Sequence, residues 1–173
     1  AATINLKANV AVEVTGTVTA TDVNVIAKAT EGAVTAEVEG SAAALNAALK
    51  EVSSANDIIV TLTGTTATAK DLKELATKTS IKIDASGIET ITGNAADVTK
   101  VLTDNSSLAD NVATTVTGTV TVAEINAINV LAPDGVIKAT LEGSAAELAT
   151  LTTSNSDLLT LKVTGTTATA TEL

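Results

Sequence analysis

The chain has 173 residues, a net charge of −10 and only twelve kinds of amino acid; Phe, Tyr, Trp, Met, Cys, His, Arg and Gln are absent. Without His or Cys there is no Ser-His-Asp or Cys-His nucleophile, no disulfide, and no ordinary zinc, copper, haem or iron–sulfur site. Ten basic against twenty acidic residues, with no aromatic ring, repel nucleic acid and offer single strands nothing to stack on.

Taken in chain order, apolar residues alternating with polar ones predict strands at 10–14, 34–38, 58–62, 81–85, 112–116, 137–141 and 159–163. Each precedes a glycine: Gly16, Gly40, Gly64, Gly87, Gly118, Gly143 and Gly165. Four helices follow from capping residues and apolar spacing. Ser41 heads 42–50, with Leu45 and Leu49 inward; Thr68 heads 69–76, with Leu72 and Leu75 inward. Asn94 heads 95–102, and Thr121 heads 122–131 with Glu124 completing a capping box. Pro133-Asp134-Gly135 turns the chain into the next strand. Between Gly87 and Gly118, the stretch from Ile88 to Gly93 reads as an inserted half-turn, irregular or extended over 88–92. Leu62 is expected in the core.

The chain also repeats itself. Val14-Thr15-Gly16-Thr17-Val18-Thr19 recurs as Val116-Thr117-Gly118-Thr119-Val120-Thr121, 102 residues later. Glu39-Gly40-Ser41-Ala42-Ala43 recurs as Glu142-Gly143-Ser144-Ala145-Ala146, and Thr63-Gly64-Thr65-Thr66-Ala67-Thr68-Ala69 recurs from Thr164 to Ala170. Strand, glycine and short helix within about 24 residues make one coil of a solenoid. The expected fold is therefore an α/β repeat solenoid: a parallel β-sheet on one wall, short helices on the other, and about 24 residues per coil. The coils are grouped in a super-repeat of about 102 residues. The first super-repeat spans 1–102 in four coils; the second spans 103–173, is truncated at three, and continues the same solenoid. A core of Val, Leu, Ile and Ala suits such thin layers. The 45% apolar content excludes disorder, and the composition points to a soluble chain. No run reaches the roughly 18 apolar residues of a membrane span, and no basic-then-apolar leader precedes the first strand. The start at Ala1-Ala2-Thr3, without Met, reads as a processed chain or a piece of a longer one.

Stacking the coils on their glycines gives two outward columns. One holds Thr15, Glu39, Thr63, Ser86, Thr117, Glu142 and Thr164; the other holds Thr17, Ser41, Thr65, Ile88, Thr119, Ser144 and Thr166. These hydroxyl rows read as a solvated strand face, with an ice-ordering Thr face as the functional alternative. Three residues before glycine stand Glu13, Glu37 and Asp84, with Glu13 and Glu37 expected as direct neighbours; they are weak metal candidates, for a hard cation such as calcium. Lys pairing or solvation is the competing reading. Asp22-Val23-Asn24 and Asp104-Asn105-Ser106 read as helix caps and turns, or as oxygen-ligand loops. Asn105-Ser106-Ser107 matches the N-glycosylation acceptor pattern. No residue is assigned a catalytic or cofactor role.

The runs Val14-Thr15-Gly16-Thr17-Val18-Thr19-Ala20, Glu39-Gly40-Ser41-Ala42-Ala43 and Ile83-Asp84-Ala85-Ser86-Gly87-Ile88, continued by Thr90-Ile91-Thr92-Gly93-Asn94, carry a resemblance. They resemble repeats of very large secreted bacterial surface proteins of the surface-layer and adhesin type, which occur beside hemolysin-type calcium-binding modules. The resemblance spans nearly the whole chain and transfers no catalytic residue. The nonapeptide calcium motif of those modules is absent. It implies a non-enzymatic structural segment, extracellular or at the cell surface, that self-associates end to end or continues in a longer chain. It implies no nucleic acid, membrane insertion, small-molecule substrate or cofactor. The alternatives are a calcium- or ice-binding solenoid module and an engineered idealised repeat protein.

Overall fold

Hydroxyl caps and β-branched alternation set the local structure. In a computed structural model, which describes residues 9–16, 18–104 and 107–165, strands and short helices alternate. The order is β1 (Val12–Glu13), α1 (Ala20–Ala29), β2 (Val34–Gly40), α2 (Ala42–Ala48), β3 (Asp57–Leu62), β4 (Thr66–Thr68), α3 (Ala69–Leu75) and β5 (Thr90–Gly93). Then come α4 (Ala95–Asp104), β6 (Ala113–Val120), α5 (Val122–Leu131), β7 (Ile137–Gly143), α6 (Ala145–Leu148) and β8 (Leu158–Val163). The four expected helices form. Ser41, Thr68 and Thr121 accept from backbone N–H groups in the first turn, and the Thr121–Glu124 capping box is present. Thr19 and Ser144 cap α1 and α6 in the same way.

Every strand pairing is parallel. The class is α/β, with parallel strands backed by helices. The core lies between them: Val34, Ile58, Leu75, Ile91, Val98, Ile125, Ile137 and Leu141 are all fully buried. Each such side chain is worth about 1.5–3 kcal/mol over an exposed one. Leu62 is buried as expected, at 6% exposure.

The strands form two sheets, β1-β2-β3 and β4-β5-β6-β7-β8, where the sequence suggested one wall. The expected strand at 81–85 is reduced to bridge residues at Ile83 and Asp84, the latter paired with Thr61. After β3 the chain turns at Gly64, whose φ of +89° suits a residue without a Cβ. The next pairing line therefore starts at β4. The inserted residues after Gly87 supply β5, which pairs with β4 on one side and β6 on the other. Ile88 and Ile91 are buried at 2% and 0% exposure, so this insertion joins the core. That corrects the outward placement of Ile88.

Gly40 and Gly143 do not stack on the glycines that follow them, whereas Gly64 and Gly87 keep the 23-residue step of the Thr61–Asp84 bridge. Ladder partners are 22 residues apart from β2 to β3, while Gly40 and Gly64 are 24 apart, so Gly40 sits opposite Leu62. Likewise Gly143 sits opposite Val163. A displacement of two residues keeps every side chain on its own face. It nonetheless breaks the expected columns: Glu39 neighbours Thr61, and Glu142 neighbours Lys162.

Some details recur about 102 residues apart. A Cβ on Gly32 would meet Val10 O at 2.3 Å, and one on Gly135 would meet Val112 O at 2.1 Å. Both turns press a glycine against backbone more than 20 residues earlier, where no side chain fits. The boundary at 102/103 falls inside α4.

Candidate functional site

The three acidic candidates lie in β1, in β2 and at the bridge beside β3, and the ladder keeps them apart. Glu13 neighbours Thr35, Glu37 neighbours Ile59, and Asp84 neighbours Thr61. Glu13 and Glu37 are therefore not direct neighbours, because the β1–β2 register is 22 residues and their spacing is 24. Among the described residues, no group of three or more Asp or Glu side chains is placed to hold a metal ion.

The register instead alternates acids with hydroxyls. One outward row runs Glu13, Thr35, Asp57, and Ser80 Oγ donates to Asp57 Oδ1. A second runs Glu39, Thr61, Asp84, and Ser107 Oγ donates to Asp84 Oδ1 at 3.1 Å. Strands stack about 4.8 Å apart, where like charges directly opposite destabilise the pair. Thr35 and Thr61, each between two acids, avoid that contact, and Ser80 and Ser107 donate to the acid at the end of each row.

Asp84 also accepts from Ser86 Oγ at 2.7 Å and Ser86 N at 3.0 Å, where the chain leaves the first sheet. The Ser86 hydrogen bonds, with that of Ser107, hold its carboxyl below the ordinary aspartate value. This carboxylate shapes a turn.

The second sheet carries hydroxyls outward. Thr68, Thr92 and Thr115 are successive partners, followed by Lys138, and Thr119, Thr140 and Thr160 form another row. The Thr68 hydroxyl is committed to the α3 cap. The rows are offset where the β6–β7 register shifts between Thr115 and Thr119, so they differ from the glycine-aligned columns.

A cavity of about 230 Å³ lies between α3 and α4, with Leu72, Ala76, Ile83 and Val101 among its lining. Lys73 and Lys100 stand at its rim, ion-paired to Asp97 and Asp104 respectively. The hydrogen bond from Lys73 holds the Asp97 carboxyl below its ordinary value.

The sequence reading missed the polar side chains that peg together segments 20 to 27 residues apart. Asn24 Oδ1 accepts from Glu51 N at 2.6 Å, and Asn126 Oδ1 accepts from Thr152 N at 3.0 Å. Asn56 Oδ1 accepts from Val34 N at 2.9 Å, and Asp157 Oδ1 accepts from Ile137 N at 2.7 Å. Their signal was recurrence: Asn24 and Asn126 are 102 residues apart, Asn56 and Asp157 are 101. Asp22 is a first-turn residue of α1, its backbone N–H donating to Thr19 Oγ1 at 3.1 Å, which settles its local role as part of a cap. Asn105 and Ser106, with the glycosylation pattern and the loop reading placed there, lie outside the described residues, as do Thr17 and Thr166.

Comparison with protein-family models, with curated proteins and with solved structures returned no match. Among the described residues no helix is long and apolar enough to cross a membrane.

Proposed function

We propose that the chain is a non-enzymatic structural segment: an α/β solenoid that serves as a spacer or lattice element in an extracellular bacterial surface protein, filament or surface layer. Its seven coils are grouped as 1–102 and 103–173 in one continuous stack. The observation that carries this reading is the recurrence of coil-to-coil pegs and close glycine approaches about 102 residues apart. Asn24, Asn56, Asn126 and Asp157 join neighbouring coils, as does Asp84 through Ser107.

The reading is tested on shape and place. Small-angle scattering from the isolated chain is expected to fit a rod whose cross-section is one coil. An antibody to the chain is expected to label intact cells of the source organism. A near-spherical particle, or label only after lysis, overturns the proposal. A calorimetric calcium titration is expected to stay flat, and a saturable heat would move the reading to a calcium-binding module.

A further inference from the structure

The last strand of the five-stranded sheet is unusually apolar for an edge. Leu158, Leu161 and Val163 in β8 are 62%, 49% and 47% exposed, while Leu141, the β7 partner of Leu161, is fully buried. Among the described residues no strand pairs with the far side of β8, and none with the far side of β1. Natural sheets blunt such edges with very short strands, charged side chains such as Lys, proline or a covering element. β8 has six residues and no proline, and its one charge, Lys162, is paired with Glu142, its Nζ 3.2 Å from both carboxylate oxygens.

At the other end, Val12 and Val14 are half-buried, Val10 is 41% exposed and Glu13 is exposed. All strands run parallel, so a second copy added by the stacking step brings its β1 alongside β8 with matching polarity. We propose that β8 takes the β1 edge of a second copy in one register: Leu161 opposite Val12 and Lys162 opposite Glu13. This rests on the structural reading above and names its partner.

Three observations fix the occupant and register. The inward residues Leu159, Leu161 and Val163 then meet Val10, Val12 and Val14, apolar on apolar. Shifts of one residue would turn the inward set outward. Shifts of two would place Lys162 beside Ala11 or Thr15 and lose the charge pair. In the chosen register Lys162 stands between Glu142 of its own chain and Glu13 of the next, the acid–partner–acid spacing seen elsewhere on the outer face. The contact joins unlike surfaces, so it propagates as an open filament. One coil's cross-section is small, so the contact is weak and concentration-dependent.

The absence of cysteine permits a register-specific test. Neighbouring strands sit within the Cα separation that a disulfide bridges. Glu13→Cys and Lys162→Cys chains, mixed under mild oxidation, are expected to cross-link to each other in preference to themselves. Ala11→Cys mixed with Lys162→Cys, two residues out of register, is the control. In sedimentation at rising concentration, Lys162→Glu and Glu13→Lys are each expected to weaken self-association about tenfold, with the double reversal restoring it. Both sites are exposed, and circular dichroism checks that the variants fold. A strictly monomeric chain, a closed dimer, association unmoved by the single reversals, or equal cross-linking in the control overturns the inference. A folded rod-shaped monomer would do so while leaving the structural reading in place, and a compact particle would remove that reading itself.

Discussion

The three-stranded and five-stranded sheets meet the same constraint with different side chains. Both stack parallel strands about 4.8 Å apart, so each outward residue lies directly beside those of the strands on either side. In β1–β3 and the Asp84 bridge, Glu13, Asp57, Glu39 and Asp84 lie beside Thr35 or Thr61, and Glu37 lies beside Ile59. In β4–β8, Thr faces Thr, and charge enters at Lys138 and the Glu142–Lys162 pair. The first region thus carries negative charge on its outer face without stacking acid on acid. The contrast teaches that register, rather than composition, decides whether an acidic strand face is tolerable.

The comparison breaks most sharply at matched core positions. Leu62 and Val163 are 101 residues apart in the repeat, but Leu62 is 6% exposed and Val163 is 47% exposed. Leu62→Asp is expected to lower the unfolding free energy by about 3–5 kcal/mol, and Val163→Asp by under about 0.5 kcal/mol. Urea unfolding measures both, and equal losses would contradict the inward and outward assignment.

The close glycines come next. Gly32→Ala in the first region and Gly135→Ala in the second should each cost about 1–3 kcal/mol, because the new methyl group meets backbone. Gly87→Ala, whose Cβ would come no nearer than 3.7 Å to Gly64 O, serves as the control and should stay within about 0.5 kcal/mol. A loss at only one of the two turns would show that they are not equivalent.

A smaller effect has the opposite sign. Thr114 is 1% exposed in the second sheet, its hydroxyl has no partner, and the residue 102 positions earlier is Val12. Thr114→Val is expected to raise stability by about 1 kcal/mol, seen as a higher urea midpoint at unchanged slope. A lower midpoint would mean that the hydroxyl is engaged.

The smallest effect lies at the junction. The folded Asp84 carboxyl titrates below its ordinary value, so its contribution is present above about pH 4, where the unfolded group is ionised. It is lost as the pH falls through the lowered folded value. Acid titration of stability should therefore be shallower below pH 4 for Asp84→Asn than for the parent chain. Superimposable acid limbs would remove Asp84 from the account.

Much of the local structure was legible because it depends on near neighbours. Thr121 with Glu124, Ser41 and Thr68 specify helix starts within four residues, and alternation through Ile58, Val60 and Leu62 specifies which side faces inward. The glycines gave the register from Thr61 to Asp84 but not from β2 to β3 or from β7 to β8, because a glycine at a strand end marks where the backbone turns rather than what lies opposite. The same limit misplaced Ile88: a residue after glycine was read as outward, but the insertion gave it a place in the core. Of the candidate site, Asp84 was legible as an acid beside Thr61, while its role in the turn needed Ser86 and Ser107 brought together. The Asn24, Asn56 and Asn126 pegs look like ordinary polar positions until partners more than 20 residues away are known.

The uneven ladder spacing, 22 residues from β2 to β3, 24 from β4 to β5, 23 from β5 to β6 and 20 from β7 to β8, bears on how such a gene can change. Codons gained or lost between one strand and the next are absorbed in the connection, by one residue as well as by two, and the strand keeps its inward face. Successive duplications can therefore diverge in length while the strand pairing survives. A lineage built this way blurs its own period faster than it loses its fold.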